Sequence, residues 1–525
     1  MKSKQLDKPA DIAQFLKDRY ISKLMYLIWQ SRKDLQHAFD LNSVSGQQGF
    51  CSWYEVSVLR EYTKAQQMPK NSTEMADYQQ ALSSAFPAQL PLHARLMRLE
   101  SAVSKIGQRF PMPFRNLGKA IWYRLLALTA RMAGKSDGQH RIHHDMHISK
   151  PLPAGDTEMP GANLIGYAHA ELGMGQHVRM TATALATTDI KFGVLNFNVG
   201  VGSRQQATLD HGELITDNIY RANIFHINAD QMLKAFSHLG RDFFEHRYNI
   251  LYPFWELAKW PDEWVDILGL VEEIWAPTRF IQNAIAERTM LPVEYMPMCV
   301  YLPPPSGLKR AHYGLPEDRF LFLFAFDFFS YIERKNPFAT IRAFKKAFPG
   351  VSSKVGLVIK VMNGDTRNSE WIRMMQLIDG DPRIFVLNKT MTRQEVLDLY
   401  AVTDCFVSLH RSEGFGLGPA EAMYLKKPVI VTNYSGNTDF TLADNSCLVD
   451  YKLIPVERGQ YIFENGQVWA DPDVEHAAWY MRKLFDDEAF RSNLGERGAH
   501  LIHTAFSPAT VARNYRKRLN KLNLA

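Results

Sequence analysis

The sequence predicts an α/β protein: two doubly wound parallel-sheet units in series, preceded by a mainly helical extension. Three observations carry this. Beyond about residue 160, short β-rich runs alternate with helical patterns, as βαβ units covered on both faces require. The run FLFLFAF (320–326) is apolar without alternation, which suits a strand buried on both faces. A chain of 525 residues also exceeds what one core supports. The expected divisions are a helical extension (1–155), a first sheet unit (156–305), a second (306–505) and a C-terminal helix (506–525).

Composition sets the class. With 46% hydrophobic and 22% charged residues the chain is ordinary globular protein, not a disordered or collagen-like one. Its surplus of six positive charges is too small and diffuse to imply a nucleic-acid partner. Cys51, Cys299, Cys405 and Cys447 stand far apart with no CxxC pair, as expected of reduced thiols in a cytoplasmic protein. The N-terminal segment lacks a signal-peptide core, and no run reaches the roughly 20 apolar residues of a membrane span.

Residues 1–155 show helical spacing, for example IAQFLKDRYISKLMYLIW (12–29). In the first unit, strands are expected at 164–168, 192–197, 248–254 and 273–276, with helices over 175–186 and 229–239. Pro303 to Pro305 mark a linker at 302–307. Strands of the second unit are expected at 320–326, 355–362, 383–388, 405–409, 428–432 and 447–450. A capping box, Thr392-x-x-Glu395, opens one of its helices.

Ligands of open α/β sheets sit beyond the carboxyl ends of the strands. Two such loops here carry chemistry. After 320–326, Asn336 is a good N-cap and Pro337 a good first helical residue. Arg334 and Lys335 just before them would add fixed cations to a helix N-terminus that already favours anions. After 405–409 comes His410-Arg-Ser-Glu413-Gly414-Phe415-Gly416-Leu-Gly418, then a helix expected from Pro419. The glycines let backbone approach a ligand closely. Glu413 and Glu421, eight residues apart, can meet one ligand at two points.

The segment HRSEGFGLGPAEAMYLKKPVIVTNYSGNTDF resembles the E-x7-E region of the retaining, nucleotide-sugar-dependent glycosyltransferases of family four, which have the GT-B fold. FDFFSYIERKNPFATIRAFKKAF is similar to their phosphate-binding segment, and YNILYPFWELAKWPDEWVDILGLVEEIWAPTRF to the end of their first domain in bacterial surface-polysaccharide members. The resemblance implies two Rossmann-like domains facing across a cleft. It places Glu413 against the donor sugar, Glu421 on the ribose, and Lys335 with Arg334 on the diphosphate. Gly414, Phe415, Gly416 and His410 would line the donor site, with Gly436 and Asn437 on a neighbouring wall. It further implies that Gly175 approaches the donor phosphate and that His169 and Glu256 lie on the acceptor side. Many relatives carry an arginine earlier in the phosphate loop, where this chain has Phe329 and Ser330.

The resemblance therefore implies a hexosyltransferase, with mannose favoured, serving surface-polysaccharide or lipopolysaccharide assembly. Its partners would be a nucleotide-sugar donor and a glycan or polyprenyl-diphosphate-linked acceptor. No metal or other cofactor is expected: fixed cations can meet the charge on a departing diphosphate, and the DxD at Asp471–Asp473 reads as a helix cap. The alternative is a non-catalytic sugar- or nucleotide-binding assembly protein on the same fold. His140, His143, His144 and His147 read as a polar linker rather than a metal site. The stretch 101–136 holds seven basic residues and no acidic one, the pattern of a helix resting on an anionic bilayer at the inner membrane face or packed on a neighbouring domain.

Overall fold

The computed structural model describes residues 159–350 and 354–525, together with Leu41 and Phe50. The helical extension, Cys51, the basic stretch 101–136 and the histidine group 140–147 lie outside the described residues. The fold is GT-B: two Rossmann-like lobes, each a parallel sheet whose strand order reverses around its first strand.

In the first lobe, β1 (Met159–Gly166), α1 (Gly173–Leu185), β2 (Phe192–Asn196), β3 (Glu213–Leu214) and β4 (Tyr220–His226) come first. Helices α2 (Ala229–Leu239) and α3 (Arg241–Phe244) follow. Residues 230–246, like Leu41 and Phe50, fall outside the compact unit that holds the two sheets, and within them Phe236 packs edge-on against Phe244. The lobe continues with β5 (Tyr248–Leu251), β6 (Glu273–Ala276), α4 (Arg279–Ala286) and β7 (Val293–Tyr295). The seven strands run β3-β2-β1-β4-β5-β6-β7.

Strand β4, absent from the sequence expectation, is central. It pairs with both β1 and β5. Its sequence YRANIFH carries an arginine and an asparagine, which hides the apolar run. The asparagine is satisfied by register: Asn163, Asn223 and Asn249 lie opposite one another, and their amides form a ladder at 2.9 Å per step. All three are fully buried. Buried amides are tolerated when each finds a partner, so this polar ladder pins the register of three parallel strands.

The second lobe contains β8 (Phe320–Asp327), α5 (Ile332–Lys335), α6 (Pro337–Ala347), β9 (Val355–Met362), α7 (Ser369–Ile378), β10 (Ile384–Asn388), α8 (Arg393–Val402), β11 (Cys405–Ser408), α9 (Leu417–Tyr424), β12 (Val429–Thr432) and β13 (Cys447–Val449). Its sheet order is β10-β9-β8-β11-β12-β13. The expected strands recur here almost residue for residue, because strands covered on both faces must be continuously apolar. The capping box at Thr392 and Glu395 forms, and Asn336 caps α6 with Pro337 at its first position. One boundary differs: the helix expected from Pro419 starts at Leu417 behind Gly416, whose φ of 94° only glycine adopts without strain.

An antiparallel hairpin, β14 (Tyr451–Pro455) and β15 (Val468–Pro472), was not expected from the sequence. Asp471 lies within it, while Asp473 caps α10 (Val474–Asp486) by accepting from the amides of Glu475 and His476. After α11 (Glu488–Ala505), α12 (Pro508–Lys521) returns to the first lobe. There Tyr515 stacks on Trp275 and Arg518 pairs with buried Glu273. Among the described residues no helix is long and apolar enough to cross a membrane, and Cys299, Cys405 and Cys447 are buried free thiols.

Candidate active site

The sheet order of the second lobe reverses between β8 and β11, which pair directly. The loops after these two strands must therefore open side by side, and they carry the residues singled out above. Arg334 and Lys335, on α5, face Glu413, on the loop after β11. Arg334 Nη1 donates to Glu413 Oε2 at 3.0 Å and to the carbonyl of Ser412 at 3.0 Å, and Lys335 Nζ donates to Glu413 Oε1 at 2.5 Å. Each carboxylate oxygen thus has its own cation.

The electrostatics follow. Burial alone would push the Glu413 carboxyl up, but the charges of Lys335 and Arg334 hold it down at about 2. Because this value lies below that of an unfolded glutamate, the ion pairs stabilise the fold above the ordinary carboxylate range. That stabilisation is lost progressively as pH falls from the ordinary glutamate range to about 2. Burial lowers the Lys335 ammonium in spite of Glu413, whereas the nearby acids keep Arg334 above its ordinary value against burial. Arg334 Nε is buried and has no acceptor.

Backbone geometry concentrates strain here. Tyr331, Asn336 and Ser435 all have positive φ, at 63°, 53° and 74°. Such conformations persist where the surroundings over-determine them, commonly at functional sites. Ser435 Oγ accepts the Glu413 amide at 2.8 Å, and Asn336 Nδ2 donates to the Leu409 carbonyl at 2.9 Å. Both tie the cation loop and the acid loop to one frame.

His410 is enclosed rather than presented. Asn437 Nδ2 donates to Thr432 O and Thr441 Oγ1, so its Oδ1 accepts from His410 Nε2 at 2.9 Å. Nδ1 is then left to accept from Ser408 Oγ at 3.0 Å. Burial keeps the ring below its ordinary pKa, and His410 and Asn437 brace the loop as a neutral pair. Phe415 also departs from expectation: its ring packs on Phe440 and Phe506 in the core, so only its backbone can face a ligand.

Gly414 and Gly436 hold the wall together. A Cβ on Gly436 would stand 2.0 Å from the Gly414 carbonyl oxygen. The Gly436→Ala protein is expected to lose about 1–3 kcal/mol in urea denaturation, because backbone must shift to admit the methyl. Unchanged stability would show that this contact is looser than it stands.

Glu421 is buried and engages a different cation, Arg393 of α8, in a two-pronged pair. Helix α9 begins four residues earlier, so Glu421 is not a first-turn acid complementing the helix dipole. Arg393 went unnoticed in the sequence. It lies 28 residues away with no local signal.

The first lobe meets this site directly. Thr278, the N-cap of α4, donates to the Gly414 carbonyl at 2.9 Å, and Ser412 Oγ donates to the carbonyl of Glu256. Glu256 Oε2 accepts from Tyr461 at 2.6 Å. Gly175 lies in the first turn of α1 beneath the 167–170 turn, where a Cβ would strike the Ala170 carbonyl at 2.2 Å. His169 Nδ1 donates to the Ala207 carbonyl at 2.9 Å, away from the Glu413 cluster's hydrogen bonds. Among the described residues, no group of three or more His, Cys, Asp or Glu side chains forms a metal-binding cluster.

Two solved structures share the GT-B architecture. A sucrose-phosphate synthase from Thermosynechococcus elongatus matches with a TM-score of 0.52 at 15% identity, over 70% of this chain and 99% of its own. HepE from Anabaena, in complex with UDP and glucose, matches with a TM-score of 0.50 at 12% identity, over 69% of this chain and 100% of its own. Residues 308–501, within the second lobe, match the family described as glycosyl transferases group 1. No curated protein matches the chain in sequence.

Proposed function

We propose that the protein is a retaining glycosyltransferase that moves a hexose from a nucleotide sugar to a glycan or polyprenyl-diphosphate-linked acceptor at the inner membrane face, in surface-polysaccharide or lipopolysaccharide assembly. The observation that carries this reading is Glu413 held between Arg334 and Lys335 at the switch point of the lobe that matches glycosyl transferases group 1. A buried guanidinium and a partly buried ammonium, both already oriented by a carboxylate, are preorganised for a diphosphate and need no rearrangement when charge develops. The orphaned Arg334 Nε–H offers one further donor.

In the reaction the anomeric C–O bond breaks and its electron pair goes to the departing diphosphate, which Lys335 and Arg334 neutralise. The carbon becomes oxocarbenium-like beside Glu413. The acceptor oxygen bonds to it from the face the diphosphate leaves, and the hydroxyl proton passes to a phosphate oxygen. Glu421 would take the ribose in exchange for Arg393, and Gly175 would admit the phosphate close to backbone. No metal is required in this scheme.

Donor identity is the test, with mannose the favoured sugar. UDP-glucose, whose two parts HepE holds as UDP and glucose, and GDP-mannose are the first probes. Turnover of one of them, insensitive to chelator and giving a product of unchanged anomeric configuration, is the expected result. A thermal shift with nucleotide sugar but no turnover would favour a binding protein instead. Inversion of configuration would overturn retention.

A further inference from the structure

The connection between β14 and β15, residues 456–467, reaches from the second lobe onto the tryptophan-rich segment 255–264 of the first. Phe463 packs edge-on against Trp264 with centroids 5.3 Å apart. Gln467 exchanges two hydrogen bonds with Lys259: its Nε2 donates to the Lys259 carbonyl at 2.7 Å and its Oε1 accepts the Lys259 amide at 3.1 Å. At the inner end of this strap Tyr461 lies buried between two rings, 4.4 Å from Tyr331 and 5.8 Å from Trp255. Tyr331 is one of the strained residues leading into the Arg334–Lys335 turn. The Tyr461 hydroxyl is spent on Glu256, at 2.6 Å, and the Glu256 backbone is pinned by Ser412, the neighbour of Glu413.

Glu256 therefore enters the charge set of the site from the opposite lobe. Its carboxylate acts electrostatically on both Arg334 and Lys335, alongside Glu413. A glutamate side chain on a loop has several rotamers, and a single strong hydrogen bond from a buried hydroxyl selects among them. We propose that Tyr461 is a positioning residue that holds the first lobe's Glu256 carboxylate on the Arg334–Lys335–Glu413 cluster, so that seating the strap and completing the charges of the site are one event. The inference rests on the reading of that cluster as a diphosphate site.

One consequence separates positioning from mere packing. A carboxylate held near two cations opposes an incoming anion, so its removal strengthens anion binding. Tyr461 should act only through that carboxylate. The experiment is a double-mutant cycle read by calorimetry with inorganic pyrophosphate on the full-length protein. Glu256→Gln is expected to bind pyrophosphate about fivefold more tightly than wild type. Tyr461→Phe, which keeps the ring and loses the hydroxyl, should shift affinity in the same direction, and the double variant should bind no more tightly than Glu256→Gln alone.

Additive effects, or no effect of Tyr461→Phe, would overturn the positioning role while leaving the diphosphate site intact. Absence of pyrophosphate binding by the wild-type protein would remove the diphosphate site, and this proposal with it. Turnover gives a second readout: a diphosphate held more tightly leaves more slowly, so Tyr461→Phe should lower kcat and KM together on the donor that serves as substrate. A rise in KM with kcat unchanged would also count against it.

Discussion

Lys335→Ala is expected to lower kcat on the nucleotide-sugar substrate by about 10²–10³, the scale of losing one preorganised partner of a developing charge. The ammonium stands 2.5 Å from Glu413 Oε1 and is largely enclosed, so water cannot substitute for it cheaply. Its removal leaves Glu413 with Arg334 alone and leaves the departing diphosphate with one cation instead of two. Lys335→Arg should recover only part of the rate, because a planar fork does not reproduce a point charge in the same space. Steady-state kinetics on the intact protein checks this, with a urea titration confirming that the variant is folded. A folded Lys335→Ala protein working within tenfold of wild type would show that this ammonium does not meet the leaving group.

The largest stability effect is expected far from the site. Arg518→Ala should cost about 3–5 kcal/mol, the range for breaking a buried ion pair from one side. Glu273 is fully buried in β6, where it accepts from Arg518 Nε at 2.9 Å, from Trp275 Nε1 at 2.7 Å and from the Tyr248 hydroxyl at 3.1 Å. Without the guanidinium, that carboxylate must stay charged in an apolar setting or take up a proton. The pair is one of the contacts that attach α12 to the first lobe, with the Tyr515–Trp275 stack and the Arg516–Asp189 pair. Pairing Arg518→Met with Glu273→Gln removes both charges yet keeps an acceptor for Trp275 and Tyr248, and should restore most of the loss. Urea denaturation of the three proteins decides the matter. A single variant as stable as wild type would mean that the helix is held by its other contacts alone.

The second lobe was legible almost strand by strand. The first was legible at β1, β2, β5 and β6 but not at its central strand, and the reason is specific. Strand β4 reads as polar because Asn223 sits in the middle of it, and only the register with Asn163 and Asn249 makes that residue a core residue. The hairpin β14–β15 is hard to read because both strands are five residues long and β14 is largely exposed, so neither displays a clear burial period. It then proved to bear Tyr461, a site neighbour with no motif around it.

At the site, the motif residues Arg334, Lys335 and Glu413 are local features of two loops, and their chemistry could be named from their loops alone. That they neutralise one another in one cluster, that Glu421 is instead gripped by Arg393, and that Phe415 turns into the core are products of tertiary packing.

The amino-acid order alone determined the α/β class, the alternation of the second sheet, the caps at Asn336 and Thr392, and the acid and cation loops. Each of these rests on interactions within a few residues or on a burial period that a linear pattern displays. Which charges face which, and which lobe supplies Glu256 to the cations, was decided only by folding. Those pairings join residues 28 to 205 positions apart, and nothing in a local stretch of chain encodes a distance between loops brought together by two separate sheets.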